Sequence, residues 1–298
     1  MKIKICPICE LSVFQDIKNG YPEFAYVRCK SCSSVFSRAS ISPESLTDFY
    51  ETYNGYDSPL ISPNAVKTIR SWILRFENYR HLNRICDIGY GAGLLLQLAS
   101  EKGWQCSGNE FADDSIKIGN ENGWEIHRGA LDSGALLGPF DVVTLIETIE
   151  HVPKPQSLIC AAETRLRTGG IIFGTTPNGL SLNSRLFGGA CATYEYPNHL
   201  VILSRKSLRM VLESAGFENI KIYSKGFNPY DFIKWLSNFG RQKSGAIMFG
   251  VSRADLGIRI DTRLRSNFLG RSTKFMIQGL LRVTGLGDSL VFEAKKPR

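Results

Sequence analysis

Histidine and methionine are scarce in this chain of 298 residues, at four each, and acidic residues (28) are outnumbered by basic ones (36). Long apolar stretches are missing too. No uninterrupted run reaches the roughly 18 residues that crossing a bilayer requires, which excludes a protein built from membrane-spanning helices. The opening Met1-Lys2-Ile3-Lys4-Ile5-Cys6 lacks the apolar core of a secretory signal, so the sequence predicts a cytoplasmic protein and leaves peripheral contact with the inner membrane face open. At 43% hydrophobic and 21% charged residues, the composition is neither disordered nor fibrous and suffices for a large core. The formal charge of +8 permits nucleic acid, phosphorylated molecules or an anionic surface as partners without choosing among them.

Eight cysteines in a reducing compartment are read for metal binding or burial rather than for disulfides. Cys86, Cys106, Cys160 and Cys191 stand alone and read as small apolar residues. Cys6, Cys9, Cys29 and Cys32 instead form two Cys-x-x-Cys knuckles 19 residues apart, and four soft thiolates suit one tetrahedral zinc. The alternating stretch Glu23 to Arg28 leads into the second knuckle like a ribbon strand. Closed by four sulfurs, such a zinc is structural and stabilises a module too small for a core of its own.

The chain divides into a zinc-ribbon-like module at 1–40, a linker and N-terminal helix at 41–80, an α/β domain at 81–224 plus 287–298, and a basic helical insertion at 225–286. In the linker a short helix from Ser45 and Tyr50, Tyr53 and Tyr56 are placed to lie over a pocket, and helical periodicity runs from Asn64 to His81. Strands at Arg84–Ile88, Trp104–Asn109, Trp124–His127, Phe140–Ile146, Gly170–Thr175 and Phe217–Ser224 alternate with helices at Leu94–Lys102, Asp113–Asn122, Gln156–Arg167 and Ser204–Ala215, which predicts a doubly wound, mainly parallel sheet. The insertion carries eleven Lys and Arg against three Asp, the whole charge excess of the chain, interleaved with Phe227, Tyr230, Phe232, Trp235 and Phe239. It reads as a cap over an anionic or amphipathic substrate, a membrane-surface patch or plain domain completion.

The chemistry concentrates in Asp87-Ile88-Gly89-Tyr90-Gly91-Ala92-Gly93, a strand end and glycine-rich turn that opens a helix. Dinucleotide folds space their glycines differently, and an acid ahead of the first glycine suits a ligand with an ammonium group and no pyrophosphate. Glu110, closing the next strand, is placed to accept both hydroxyls of a ribose. On these residues, on Phe140-Asp141-Val142-Val143 with Glu147-x-x-Glu150-His151-Val152-Pro153, and on Leu166 to Asn178, the sequence resembles the class I S-adenosylmethionine-dependent methyltransferases. His199 and the stretch Ser204 to Phe217 are similar to the quinone-biosynthesis O-methyltransferase subgroup. The resemblance implies a Rossmann-like sheet of seven strands, the last antiparallel and inserted between the fifth and sixth. It also implies S-adenosyl-L-methionine as cofactor, held by Asp87, Gly89, Gly91, Gly93, Glu110, Leu131, Asp132 and Ile146. Tyr90 departs from the small residue or cysteine usual there, which should change loop packing more than chemistry.

Methyl transfer from a sulfonium needs alignment and a base. His151, just past the fourth strand, is the first candidate and His199 the second; Glu147 and Glu150 orient His151 or, less favoured, hold a divalent cation with it. His127 reads as bland. The expected acceptor is a small-molecule hydroxyl, preferably on a sugar of a surface polysaccharide or its nucleotide- or lipid-linked precursor. A quinone-like acceptor at the membrane surface is an alternative. RNA is the remaining rival, but the Asn/Asp-Pro-Pro-aromatic box of base-amino methylation is missing after the fourth strand, and the ribbon lacks a basic-aromatic stripe.

Overall fold

The structure is a computed structural model and describes residues 3–17, 26–51, 62–131, 136, 138–227, 231 and 279–298. Three short strands, β1 (Phe14–Asp16), β2 (Tyr26–Cys29) and β3 (Val35–Ser37), form the cysteine module, followed by α1 (Pro43–Glu51) and α2 (Pro63–Phe76). The α/β unit then runs β4 (Arg84–Ile88), α3 (Leu94–Ser100), β5 (Gln105–Glu110), α4 (Asp113–Glu121), β6 (Glu125–Arg128) and β7 (Phe140–Ile146). After these come α5 (Pro155–Arg165), β8 (Leu166–Pro177), α6 (Leu182–Phe187), β9 (Val201–Ile202), α7 (Arg205–Ser214), β10 (Glu218–Lys225) and β11 (Ser289–Lys295).

Seven strands make the main sheet in the order β10-β11-β8-β7-β4-β5-β6. β11 is antiparallel to both neighbours, whereas β4, β5, β6, β7 and β8 pair in parallel. The seven strands, and the antiparallel last strand inserted between the fifth and sixth, are those the resemblance implied. Helices cover both faces, so the inner strands are buried throughout: β4 from Ile85 and β7 from Phe140 to Thr144 and Leu145 show no polar alternation. α7 starts on Ser204, which accepts the Ser207 N–H while Ser207 Oγ accepts the Ser204 N–H, and buries Leu208, Val211 and Leu212 on one side. Among the described residues, no helix is long and apolar enough to cross a membrane.

Several boundaries move from their expected places. α3 stops at Ser100 rather than Lys102 because Gly103, at φ +78°, turns the chain back. α5 ends at Arg165, and the following strand begins at Leu166 rather than Gly170. Arg167 there reaches the fully buried Asp141 of β7, its Nε 2.5 Å from Oδ1, and draws the approach to the glycines into the sheet. The helix expected from Asn64 to His81 is α2, with a single 3₁₀ turn at Glu77–Tyr79. Glu23 to Ala25, Tyr53, Tyr56 and most of the basic helical insertion expected at 225–286 lie outside the described residues.

The cysteine module does not end at its own third strand. β3 pairs with β9, so the ribbon sheet has the order β1-β2-β3-β9 and takes its last strand from the α/β chain. Cys6, Ile8, Val27 and Phe36 share one buried cluster with Leu200, Val201, Leu208 and Val211.

Candidate active site

β4 lies inside the sheet between β7 and β5, and their carboxyl ends face the crevice where open α/β sheets bind ligands. A cavity of about 850 Å³ opens there. Asp87, Gly89, Gly91, Gly93, Glu110, Leu131, Ile146, Glu147, Glu150, His151 and His199 all line it, so the structure gathers the expected cofactor and acceptor residues into one site. Asp132 lies outside the described residues.

On the cofactor side, the loop after β4 is tied to β5 by the Gly89 N–H on the Asn109 carbonyl at 3.0 Å. Glu110, buried at the end of β5, accepts the Gly91 N–H at 2.9 Å and the Phe111 N–H at 2.8 Å. Gly93 takes φ +75° as it opens α3, and a Cβ there would lie 2.7 Å from the Trp124 ring, so glycine is required twice over. Tyr90 packs as its departure suggested. Its ring stands edge-on to Trp124 at 6.0 Å, its hydroxyl donates to the Ser115 carbonyl at 2.7 Å, and Gly108 and Gly119 leave it room. A carboxylate facing a backbone cradle, with the walls of Leu131 and Ile146, fits an adenosyl cofactor that carries a ribose and no phosphate.

Asp87 is buried and accepts Thr144 Oγ1 at 2.6 Å. Burial pushes its carboxyl up to about 7, the Thr144 bond opposes that shift, and the charge of Glu110 adds to it. An ammonium group placed beside Asp87 favours the ionised form, so below pH 7 its binding must release a proton. Cofactor affinity should therefore rise between pH 6 and 7 and level off by pH 8, with buffer-dependent proton release in calorimetry. A pH-independent affinity would remove Asp87 as the partner of that group.

The acceptor side is built by the turn after β7. Glu147 closes β7 at φ +52°, a conformation unfavourable for a side-chain-bearing residue and of the kind found at functional turns. Across the next turn (Ile149–His151) the two acids stay within reach of one another but differ in exposure: Glu147 is exposed, while Glu150 is fully buried and accepts Thr176 Oγ1 at 2.9 Å. Burial first, and the nearby Glu147 charge second, raise the Glu150 carboxyl well above its ordinary range. His151 donates its Nδ1–H to the Asn198 carbonyl at 2.7 Å, since a carbonyl can only accept; its Nε2 is then an open lone pair, 3.9 Å from Glu150 Oε1. Burial lowers the His151 pKa, with the Asn198 bond and the charge of Glu147 opposing, so the ring is neutral at pH 7. His199 likewise donates Nδ1–H to the Thr193 carbonyl at 2.7 Å, and its ring lies 5.1 Å from that of His151.

The less favoured reading of Glu147, Glu150 and His151 as cation ligands meets a different set, since the donors that converge are those of Glu150, His151 and His199, all within 4.8 Å. The short linker helix expected to lie over a pocket is α1, and it does so. Ile41, Pro43, Leu46, Thr47 and Tyr50 wall the cavity, and Tyr50 stands edge-on to His151 at 6.0 Å and 6.3 Å from Phe111, with its hydroxyl on the Asn198 carbonyl at 3.2 Å. Its only signal was the tyrosine-rich stretch itself.

The four module cysteines also converge. Sγ atoms of Cys6 and Cys32, and of Cys9 and Cys29, are 3.5 Å apart, and all four lie within 4.8 Å. The two knuckles are matched turns: Glu10 and Ser33, at φ +59° and +63°, return their N–H groups to the Cys6 and Cys29 carbonyls. A tetrahedral zinc with sulfurs at about 2.3 Å needs them roughly 3.8 Å apart, so the set fits.

Residues 63–222, more than half of the chain, match the family described as methyltransferase domain. The ubiquinone biosynthesis O-methyltransferase of Burkholderia pseudomallei is 33% identical over 193 residues, covering 59% of this chain and 81% of that protein. Its counterpart from Idiomarina loihiensis is 31% identical over 161 residues, 49% of this chain and 66% of that protein. Among solved structures, the phosphoethanolamine N-methyltransferase 2 of Haemonchus contortus in complex with S-adenosylhomocysteine aligns with a TM-score of 0.54 at 16% identity, over 87% of this chain and 61% of that one, which speaks for the fold alone. Sheet order, cradle and relatives agree, and the chain belongs to the methyltransferase-domain family as a class I S-adenosylmethionine-dependent methyltransferase.

Proposed function

We propose that this methyltransferase acts on a hydroxyl of a small-molecule acceptor, with His151 as the base. One observation carries the reading: a buried, neutral imidazole, fixed through Nδ1, faces the cavity with its Nε2 lone pair beside the carboxyl edge of the sheet. Bound S-adenosylmethionine supplies the electrophilic methyl group. The chain's own residues do the rest. Glu110 and the glycine loop hold the adenosyl part, Tyr50 and Phe111 bound the reacting region, and His151 takes the hydroxyl proton as the oxygen attacks. Glu147, exposed near the ring, favours the imidazolium that results. The relatives named as O-methyltransferases support oxygen as the acceptor atom.

Our preferred acceptor is a sugar of a surface polysaccharide or its precursor. Tyr50 offers a flat apolar plane for a pyranose, and the walls from Leu46, Val152, Pro153 and Leu158 suit an amphipathic, lipid-linked carrier. A quinone-like acceptor is the second reading, favoured by the names of the relatives. Profiling methyl transfer with nucleotide-sugar, lipid-linked sugar and catechol pools separates the two. The convergence of Glu150, His151 and His199 would also accept a divalent cation; activity that survives chelator leaves these residues with the proton alone.

For the four cysteines we propose one structural zinc, closed to water and remote from the transferred methyl. Cys29→Ser should leave less than stoichiometric zinc by elemental analysis and lower the thermal midpoint by several degrees, since the module has few other buried contacts of its own. Metal-free protein of unchanged stability would sink the idea.

A further inference from the structure

The segment that carries His199 lies between α6 and β9 and belongs to no strand or α-helix, yet both peptide groups flanking this residue are tied at both ends. The Asn198 carbonyl accepts His151 Nδ1 and the Tyr50 hydroxyl, while the His199 N–H donates to the Glu195 carbonyl at 2.7 Å. In the next peptide the His199 carbonyl accepts the Tyr26 hydroxyl at 2.5 Å, and the Leu200 N–H donates to the Glu150 carbonyl at 2.8 Å. Tyr26 stands out among these partners because it comes from neither the loop nor the cavity wall. It opens β2, three residues before Cys29, and its ring packs on Tyr194 at 5.1 Å.

The cysteine module grips the chain beyond His199 as well. Ser37 N–H donates to the Leu200 carbonyl at 3.3 Å, β3 pairs with β9, and the Cys32 and Ser31 carbonyls accept Ser204 Oγ at 3.0 Å and Lys206 Nζ at 2.5 Å. These contacts anchor the chain that follows His199. The cofactor cradle is built separately, from the ends of β4 and β5.

We propose that Tyr26 is a positioning residue for His199, and that the cysteine module thereby sets the geometry of the acceptor side of the site. The inference rests on the reading that His199 faces the acceptor, and adds where its orientation comes from. A buried tyrosine hydroxyl needs some acceptor in any case. What gives this one a function is that its acceptor is the carbonyl of a cavity-lining histidine, in a segment that lacks a ladder of its own.

The test uses the chain's four histidines, His81, His127, His151 and His199, as reporters. In protein labelled with ¹⁵N-histidine, two-bond proton–nitrogen spectra read which ring nitrogen carries the proton, and His151→Gln and His199→Gln assign the signals. Tyr26→Phe keeps the ring and its contact with Tyr194 and removes one hydrogen bond, which should weaken the preferred His199 orientation about three- to tenfold. The expected result is a shift and broadening of His199, with a smaller change at His151. His81 and His127 stay in place, and calorimetric affinity for S-adenosylhomocysteine stays within about twofold. Val27→Ala, a cavity in the same strand that spares the hydroxyl, serves as the control and should leave His199 unmoved. Unchanged His199 signals in Tyr26→Phe, an equal shift in Val27→Ala, or collapse of all four histidine signals would each overturn the proposal in favour of a plain structural tyrosine. No acceptor enters the measurement, so its result is independent of which histidine takes the proton in catalysis.

Discussion

His151→Ala should lower methyl transfer by about 10² to 10⁴ at neutral pH while leaving affinity for S-adenosylmethionine within about twofold. The separation follows from the architecture. His151 sits on the turn after β7, whereas the cradle is held by hydrogen bonds among the ends of β4 and β5. In the wild type, burial keeps the imidazole pKa below its usual value, so the base is fully available at pH 7 and the rate should fall only as the pH drops into the range where the ring is protonated. In the variant that acidic limb should disappear, and raising the pH should restore part of the rate as the acceptor ionises unaided. His199→Ala provides the contrast: its ring lies beside that of His151, and if His199 were the base the two variants would exchange behaviour. A His151→Ala protein that loses cofactor binding and thermal stability together would make the ring a brace for the turn before Pro153 instead.

The second large effect is expected at Glu110. Its Ala variant removes two charge-assisted hydrogen bonds to a ribose, each worth about 1.5 to 3 kcal/mol at most, so affinity for S-adenosylmethionine should fall at least tenfold in calorimetry. The carboxylate also accepts the Gly91 and Phe111 N–H groups, so part of the loss would come from a loosened loop. Glu110→Gln keeps the shape and one oxygen but loses the charge and one of the two backbone bonds, so its affinity should fall between those of the wild type and Glu110→Ala. An affinity unchanged in Glu110→Ala would move the ribose elsewhere.

The parts of this site that lie close together along the chain are legible in the amino-acid sequence. Asp87 to Gly93 and Glu110 lie at the ends of two short strands that alternate with helices, and a glycine turn that opens a helix has few other uses. The seven strands and the inserted antiparallel last strand followed from the family resemblance, and the pairing of β11 between β8 and β10 agrees with it. Long-range contacts are less visible. Glu147 and Glu150 look equivalent as neighbours on one turn, and only the left-handed backbone at Glu147 sends one to solvent and the other into the core. His199 meets His151 across 47 intervening positions that include a helix and a strand, and no local spacing pairs the two rings. β9 is two residues long, too short for any alternation to be read, yet it joins the cysteine module to the α/β unit. Its register is set by a partner strand more than 160 residues earlier.

The central claim is that this site methylates a hydroxyl of a small molecule. The most direct measurement follows tritium from labelled S-adenosylmethionine into separated pools of nucleotide-linked sugars, lipid-linked sugars, quinone precursors and RNA, with wild-type and His151→Ala protein side by side. The account predicts label in one small-molecule pool, recovered as an acid-stable O-methyl ether and nearly lost with His151→Ala. Label carried into RNA, or onto a nitrogen, at an equal rate by both proteins would contradict it.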